Sequence, residues 1–281
     1  MTRQIFTLIG TLLTVALFAQ NPTTKVLLSK GQKIVVTTAV TITSSMGPGL
    51  ETNLSSVNEN LLEVKNIADK NSTISSTLTK LKLSMEMPGN TSSYDSEKKE
   101  DQNSEMGKGM SEKLNKVTDV TIDNANGIAL PATKPEPKKD ADEANPMQGM
   151  MNMLGESASD EAVVSGSFQL IPPGKKTGNT WSDSTIEKDL KVRRTYNFKS
   201  VADTGSVLQL TTAIESTGTM EMMGMSVEVN TTTTTTSDIV FDIATGLVKR
   251  KSTEANVTGN MQVMGQAMPI SAKATTVSTY K

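Results

Sequence analysis

The sequence has no cysteine and no histidine in its 281 residues. That removes Ser-His-Asp and Cys-His nucleophile systems, Cys/His zinc sites and haem ligation through those side chains. It also removes disulfides, so the chain must stand on its core and its hydrogen bonds in any compartment. Aromatic residues are scarce, 3% with a single tryptophan, and the net charge is only −2. Neither a stacking platform nor a positive field for nucleic acid is present, and no nucleic-acid partner is expected. No cofactor or metal site is expected either, and no partner groups complete a catalytic constellation, so the chain reads as a non-enzyme.

Thr, Ser, Val and Met stand where Leu and Phe usually build a core, and Thr and Val favour strands. The length allows one large all-β domain or two smaller ones. Residues 1–20 read as a signal peptide: Arg3 supplies the charge, Ile5 to Phe18 is the apolar run, and Ala19 stands at the cut. No cysteine follows for lipid attachment. The mature chain is therefore expected to be exported, periplasmic or extracellular, with no membrane span after cleavage.

The chain repeats itself. Val64-Lys65-Asn66-Ile67-Ala68-Asp69 returns as Phe198-Lys199-Ser200-Val201-Ala202-Asp203. Each copy meets a turn, then an alternating Ser/Thr-rich segment ending in Met-Glu-Met (Met85 to Met87, Met220 to Met222). Such self-similarity is read as structural repetition. Residues 25–131 form the first expected β repeat and residues 163–281 the second.

In the first repeat, Ile34, Val36, Thr38, Val40 and Ile42 alternate at period two, the mark of a half-buried strand. A second strand is expected within 50–68 and a third around Ile74 to Met85, where the imperfect spacing fits either a bulge or a short helical stretch. Residues 96–115 carry Met106, Met110 and Leu114 at helical spacing and are expected to form one inserted amphipathic helix. Residues 132–162 are a charged, Pro-containing linker followed by a short Met-rich helix at Met147 to Leu154. Strands are then expected at 180–187, 190–202, 206–222, 226–242, 247–264 and 267–280. Ribbons this long twist and coil, so the expected fold is mainly β: antiparallel curved sheets, barrel or half-barrel, from two related halves with one or two short helices.

Three groups of residues are candidate sites. Methionines cluster at 147–153, 220–225 and 261–268. Soft thioethers can hold copper(I), but without His or Cys such a site is weak, and Met is foremost an adaptable core filler. Met85, Met87, Met220, Met222, Met261 and Met264 are the residues singled out for an apolar ligand. Lys191, Arg193 and Arg194, with Lys249, Arg250 and Lys251, form two basic trios; strand alternation splits each, and a solvated outer face is the plainer reading. Asp183, Glu187 and Asp189 surround Trp181, but Asp183 and Glu187 stand about 13 Å apart on a strand. Asp69, Asp123, Asp203 and Asp242 are explained as turn-capping residues.

The signal peptide, Leu28-Ser29-Lys30-Gly31-Gln32-Lys33, Gly178-Asn179-Thr180-Trp181 and the hairpin from Asp242 to Gly246 together resemble an exported bacterial family known only as a domain of unknown function. That family brings no activity. The inferred architecture is similar, at the level of fold, to periplasmic lipoprotein-carrier proteins, whose curved sheet holds acyl chains. The expected role is binding of a lipid or other hydrophobic small molecule in a concave β scaffold. The alternative is a structural or interaction module of the cell envelope.

Overall fold

The computed structural model describes residues 22–47, 51–104, 107–108, 110, 113–131, 159–187, 189–202, 205–222, 225–263 and 266–281. The signal segment and the Met-rich stretch at 147–154 lie outside those residues. In chain order the elements are β1 (Lys33–Met46), β2 (Glu51–Ile67), β3 (Asn71–Met87), β4 (Asn90–Asp95), α1 (Lys99–Gln102), β5 (Val117–Asp123) and α2 (Asp160–Gly166), then β6 (Thr180–Glu187), β7 (Leu190–Ala202), β8 (Gly205–Met222), β9 (Met225–Phe241), β10 (Val248–Val263) and β11 (Gln266–Tyr280).

These eleven strands belong to one antiparallel sheet in the order β4-β3-β2-β1-β11-β10-β9-β8-β7-β6, with β5 also on β3. The sheet is curved but not closed. The β4/β5 edge and the β6 edge do not pair with each other. Of the two expected shapes, the open one is what the strands form.

The echoed motifs take up the same local geometry. In the first copy Val64 pairs Ile74 and Asn66 pairs Thr73, leaving Lys65 as a bulge. In the second, Phe198 pairs Leu208 and Ser200 pairs Val207, leaving Lys199. A bulge bends its strand and steepens the twist at that point. Gly31 donates to the Val64 carbonyl (2.9 Å), as Gly178 does to that of Phe198 (2.7 Å). The turns at Asp123–Gly127 and Asp242–Gly246 match as well: each Gly has positive φ, each Gly N–H meets the Asp carbonyl at 2.8 Å, and each Asp Oδ1 accepts from the backbone two residues on.

β4 and β5 run along opposite ends of β3, at Lys82–Met87 and Asn71–Thr77. β9 runs unbroken along the whole of β8. The segment between β4 and β5 is therefore looped out of a strand position. The helical spacing predicts one helix over 96–115; instead the four-residue α1 stops at Asn103, Gly107, Lys108 and Met110 are helical again, and 113–115 is a turn. Met110 from this segment is buried against Leu54, Leu83, Met85 and Tyr94.

The sequence pattern does not predict α2, yet its start is well marked. The Ser159 hydroxyl accepts from the Ala162 N–H at 3.2 Å, and Asp160 and Glu161 occupy the first turn, where the helix dipole favours carboxylates. Its Val164 is fully buried with Val36, Leu62, Ile74, Ile122 and Phe168 at one end of the sheet. A second cluster, Ile171, Phe198, Leu208, Ile239 and Phe241, adjoins it, and Tyr280 packs against both. The Tyr280 hydroxyl donates to the Gly166 carbonyl at 2.9 Å, tying β11 to α2. This end of the sheet is closed; the Met85 cluster lies at the other end of β2 and β3.

Candidate functional site

Alternation assigns each strand an inner face, the one that carries the buried clusters. On β10 and β11 the inner residues are Thr253, Ala255 and Val257, with Ala272, Ala274 and Thr276; all are half-buried, while Glu254, Asn256, Lys273 and Thr275 between them are exposed. Val40 and Ile42 of β1 continue this face, opposite Thr276 and Ala274. These are small side chains, so the sheet presents a shallow trough there. Among the described residues, none of the three buried clusters extends over Ala255, Val257, Ala272 or Ala274.

Where the trough meets the closed end, a polar row crosses four strands. Asn58 on β2 stands opposite Thr38 on β1, Thr38 opposite Ser278 on β11, and Ser278 opposite Lys251 on β10. The Thr38 and Ser278 hydroxyls are hydrogen-bonded at 3.0 Å, and Ser237 and Thr253 form a second such pair at 2.8 Å beside Lys251. The row is not internally satisfied. Asn58 is 8% exposed and its Oδ1 has no partner; the buried Asn60 Nδ2 and Ser76 Oγ have none either. Buried polar groups are nearly always paired, so three unpaired atoms in one region need a reason.

Lys251 is the least expected member. Burial pushes its ammonium below the ordinary lysine range, and no acidic group offsets it. Replacing Lys251 with Met is expected to stabilise the unliganded protein. A lysine whose folded pKa is lowered costs stability while it must hold its proton, below that pKa, and ceases to cost anything above the unfolded value near 10.4. At pH 7, K251M should gain ~1 kcal/mol, or about 2–4 °C in Tm. That margin should shrink as pH rises through the window between the lowered and ordinary values. Thermal melts of both proteins at pH 7 and pH 10 check it; a lower Tm for K251M at pH 7 would contradict the account.

The other sequence candidates are dispersed. Met85 is buried in the Leu54–Tyr94 cluster and Met87 packs on its rim. Met261 is buried on β10, four strands from β3, which at the usual strand spacing is about 19 Å away. Met220 and Met222 lie in β8, opposite Val227 and Met225. Met264 lies outside the described residues. Arg194 turns inward and pairs with Asp183 at 3.0 Å. Trp181 stacks on Tyr196 with centroids 5.3 Å apart, and burial first, then the Asp183 carboxylate, pushes the Tyr196 hydroxyl up to about 12. Lys191 meets Glu215 at 3.4 Å on the exposed side, and Glu187 is exposed at the end of β6.

Lys251 could not have been placed by alternation. The register shifts between Val248 and Arg250, so Lys249 is bulged and parity reverses. Counting by twos from the buried Val248 sends Lys251 outward; the bulge turns it in. A separate open cleft of about 500 Å³ lies at the far ends of β8, β9 and β10, lined mainly by outer-face groups such as Glu215, Asn230, Thr232 and Asn260. It is polar, unlike the expected apolar concavity, and holds none of the candidate methionines.

Residues 69–248 match the model of a family described as a family of unknown function (DUF6263). No curated protein matches the sequence. Among solved structures, one of lipovitellin, concerned with its lipid-protein interactions, aligns at 10% identity and TM-score 0.46 over 90% of this chain. The chain spans only 25% of lipovitellin's length. An outer membrane channel from Pseudomonas putida F1 aligns at 10% identity and TM-score 0.30, covering 93% of this chain and 99% of the channel. The translocator domain of the autotransporter NalP from Neisseria meningitidis aligns at 6% identity and TM-score 0.23, over 90% and 89% of the two chains. Likenesses at these scores say nothing about what this chain does.

Proposed function

We propose, for a chain that belongs to the DUF6263 family of unknown function, a non-enzymatic role: binding an apolar or amphiphilic, lipid-like molecule along the inner face of its curved sheet. The observation that carries this reading is the trough itself. Ala255, Val257, Ala272, Ala274 and Val40 form an inner surface of small apolar groups that, among the described residues, none of the buried clusters extends over, while Ile42 beside Ala274 already packs against the Met85 cluster. Each methylene taken from water onto such a surface contributes about 0.8 kcal/mol, so a chain of a dozen carbons has enough driving force to bind. The reading includes export, on the strength of the Arg3 to Ala19 pattern.

Native mass spectrometry of protein purified from its own cell envelope tests it. Co-purified lipid is the expected result. A clean unliganded mass, together with no heat on titration with dodecanol, would overturn it.

One observation favours an interaction module instead. β6 has a single neighbour in the sheet, and its Ile186 is 75% exposed. Such an edge accepts another strand. Light scattering of the purified protein distinguishes this, because edge pairing with a second copy raises the mass and a monomer does not.

A further inference from the structure

We propose that Lys251 is the counter-ion for the anionic head group of a single-chain amphiphile, with the Ser278 and Thr38 hydroxyls on the next two strands and the acyl chain running up the trough towards Met261. This rests on the preceding reading of the trough and adds the chemistry of its ligand.

The charge pattern points there. The described sheet pairs its other inward cation, Arg194, with Asp183 at 3.0 Å. Several exposed lysines have carboxylates, such as Lys65 with Glu63 at 2.9 Å, Lys82 with Glu97 at 3.1 Å and Lys199 with Asp238 at 3.2 Å, and what sets Lys251 apart is that it turns inward. Lys251 has no such partner among the described residues. The inner-face neighbours across the ladders are Ser278 on β11 and Ile239 on β9, and those next along are Thr276, Tyr280 and Ser237. None can neutralise an ammonium. A half-buried lysine without an anion is a net cost to the apo fold, and it becomes favourable when an anion enters.

The groups next to Lys251 are hydroxyls. Thr38 and Ser278 are hydrogen-bonded to each other and Ser278 also bonds the Tyr280 hydroxyl, so a head group that takes a proton from this pair must displace one of those bonds. The buried Asn58, whose oxygen has no donor, stands three strands from Lys251, about 14 Å at the usual strand spacing, and lies beyond the reach of a small head group held there.

The remaining geometry suits the tail. From Lys251 to Met261 the inner face of β10 passes Thr253, Ala255, Val257 and Gly259, ten residues or roughly 33 Å at the usual strand rise. On β10 itself polarity is confined to the start of that path, with Thr235, Thr233 and Thr231 of β9 running alongside, and the buried Met261 marks its far end. One cationic end, a small-residue floor and an apolar terminus match an amphiphile in polarity, and the floor is long enough to take an extended twelve-carbon chain with room to spare.

Isothermal titration of the mature protein at pH 7 with dodecanoate, dodecyl phosphate and dodecanol, each below its aggregation threshold, tests the proposal. Wild type should bind both anions more tightly than the alcohol. K251M should lose about tenfold or more for the anions while holding dodecanol within about twofold, and K251R should keep the anions. A preference for dodecanoate over dodecyl phosphate, or the reverse, identifies which anion the head carries. Equal binding of anions and dodecanol by wild type, or an unchanged anion affinity in K251M, overturns the head-group site while leaving the trough standing. Binding of none of the three overturns both. Circular dichroism of each variant confirms that a loss comes from a folded protein.

Discussion

Phe198→Ala should lower the unfolding free energy by about 3–5 kcal/mol, the usual cost of truncating a fully buried aromatic. Phe198 is 1% exposed and packs with Leu208, Ile239 and Phe241, its ring centroid 6.4 Å from that of Phe241. Few aromatics are available in this chain, so two of its five phenylalanines in one cluster carry an unusual share of the apolar burial. The cavity left at Phe198 cannot collapse easily, because its backbone is fixed on both sides. The Phe198 N–H donates to the Asn179 carbonyl at 3.0 Å and its carbonyl accepts from Gly178 at 2.7 Å, while Lys199 forms the bulge. Urea denaturation followed by far-UV circular dichroism measures the loss. Val64→Ala, at the matching place in the first motif, is the comparison: its smaller side chain should cost less, about 1–3 kcal/mol. A loss below about 1 kcal/mol for Phe198→Ala would mean that the second cluster is not tightly packed.

Much of this is legible in the residues, for reasons that differ by element. The strands of the second half fall within two residues of where alternation and turn residues put them; β8, for instance, is expected at 206–222 and runs Gly205–Met222. Period two is unambiguous when one face carries Leu208, Leu210 and Ile214 and the other Gln209 and Glu215. The echo around Lys65 and Lys199 announces a repeated device, and the device is a bulge. α2 is hidden because it is seven residues long and only Val164 is fully buried, too little for a helical period to stand out. Its Ser159-Asp160-Glu161 start is the readable signal. The polar row is illegible for a deeper reason. Asn58, Thr38, Ser278 and Lys251 come from four strands, and register alone aligns them. A one-residue bulge at Lys249 decides which way Lys251 faces, and nothing in Val248-Lys249-Arg250-Lys251 says where that bulge falls.

The closed end depends on a glycine as much as on its apolar residues. Gly127→Ala should cost about 3 kcal/mol from two sources. Gly127 has φ +72°, a conformation that costs an L-residue about 1–2 kcal/mol. A β-carbon there would also lie 2.6 Å from the β-carbon of Phe168, an atom fixed to the backbone that no side-chain rotation can move aside. Phe168 is 6% exposed, pairs with Leu247 as an isolated bridge and belongs to the cluster under α2. Displacing it loosens the contact between the first turn motif and the chain entering the second half. Gly246→Ala is the informative control. Its φ is +77° and an added β-carbon would also meet its neighbour at 2.6 Å, but that neighbour is the Leu170 Cδ2, the far end of a side chain that can turn away. The backbone cost should be equal and the packing cost smaller, so Gly246→Ala should lose about 1–2 kcal/mol. Chemical denaturation of the pair separates the two sources: their common loss reports the left-handed backbone, and the excess at Gly127 reports the closeness of Phe168. If the two variants melt alike, the tight approach of Phe168 to the Asp123–Gly127 turn is not what holds the closed end, and the burden falls on α2 and the Tyr280 hydroxyl.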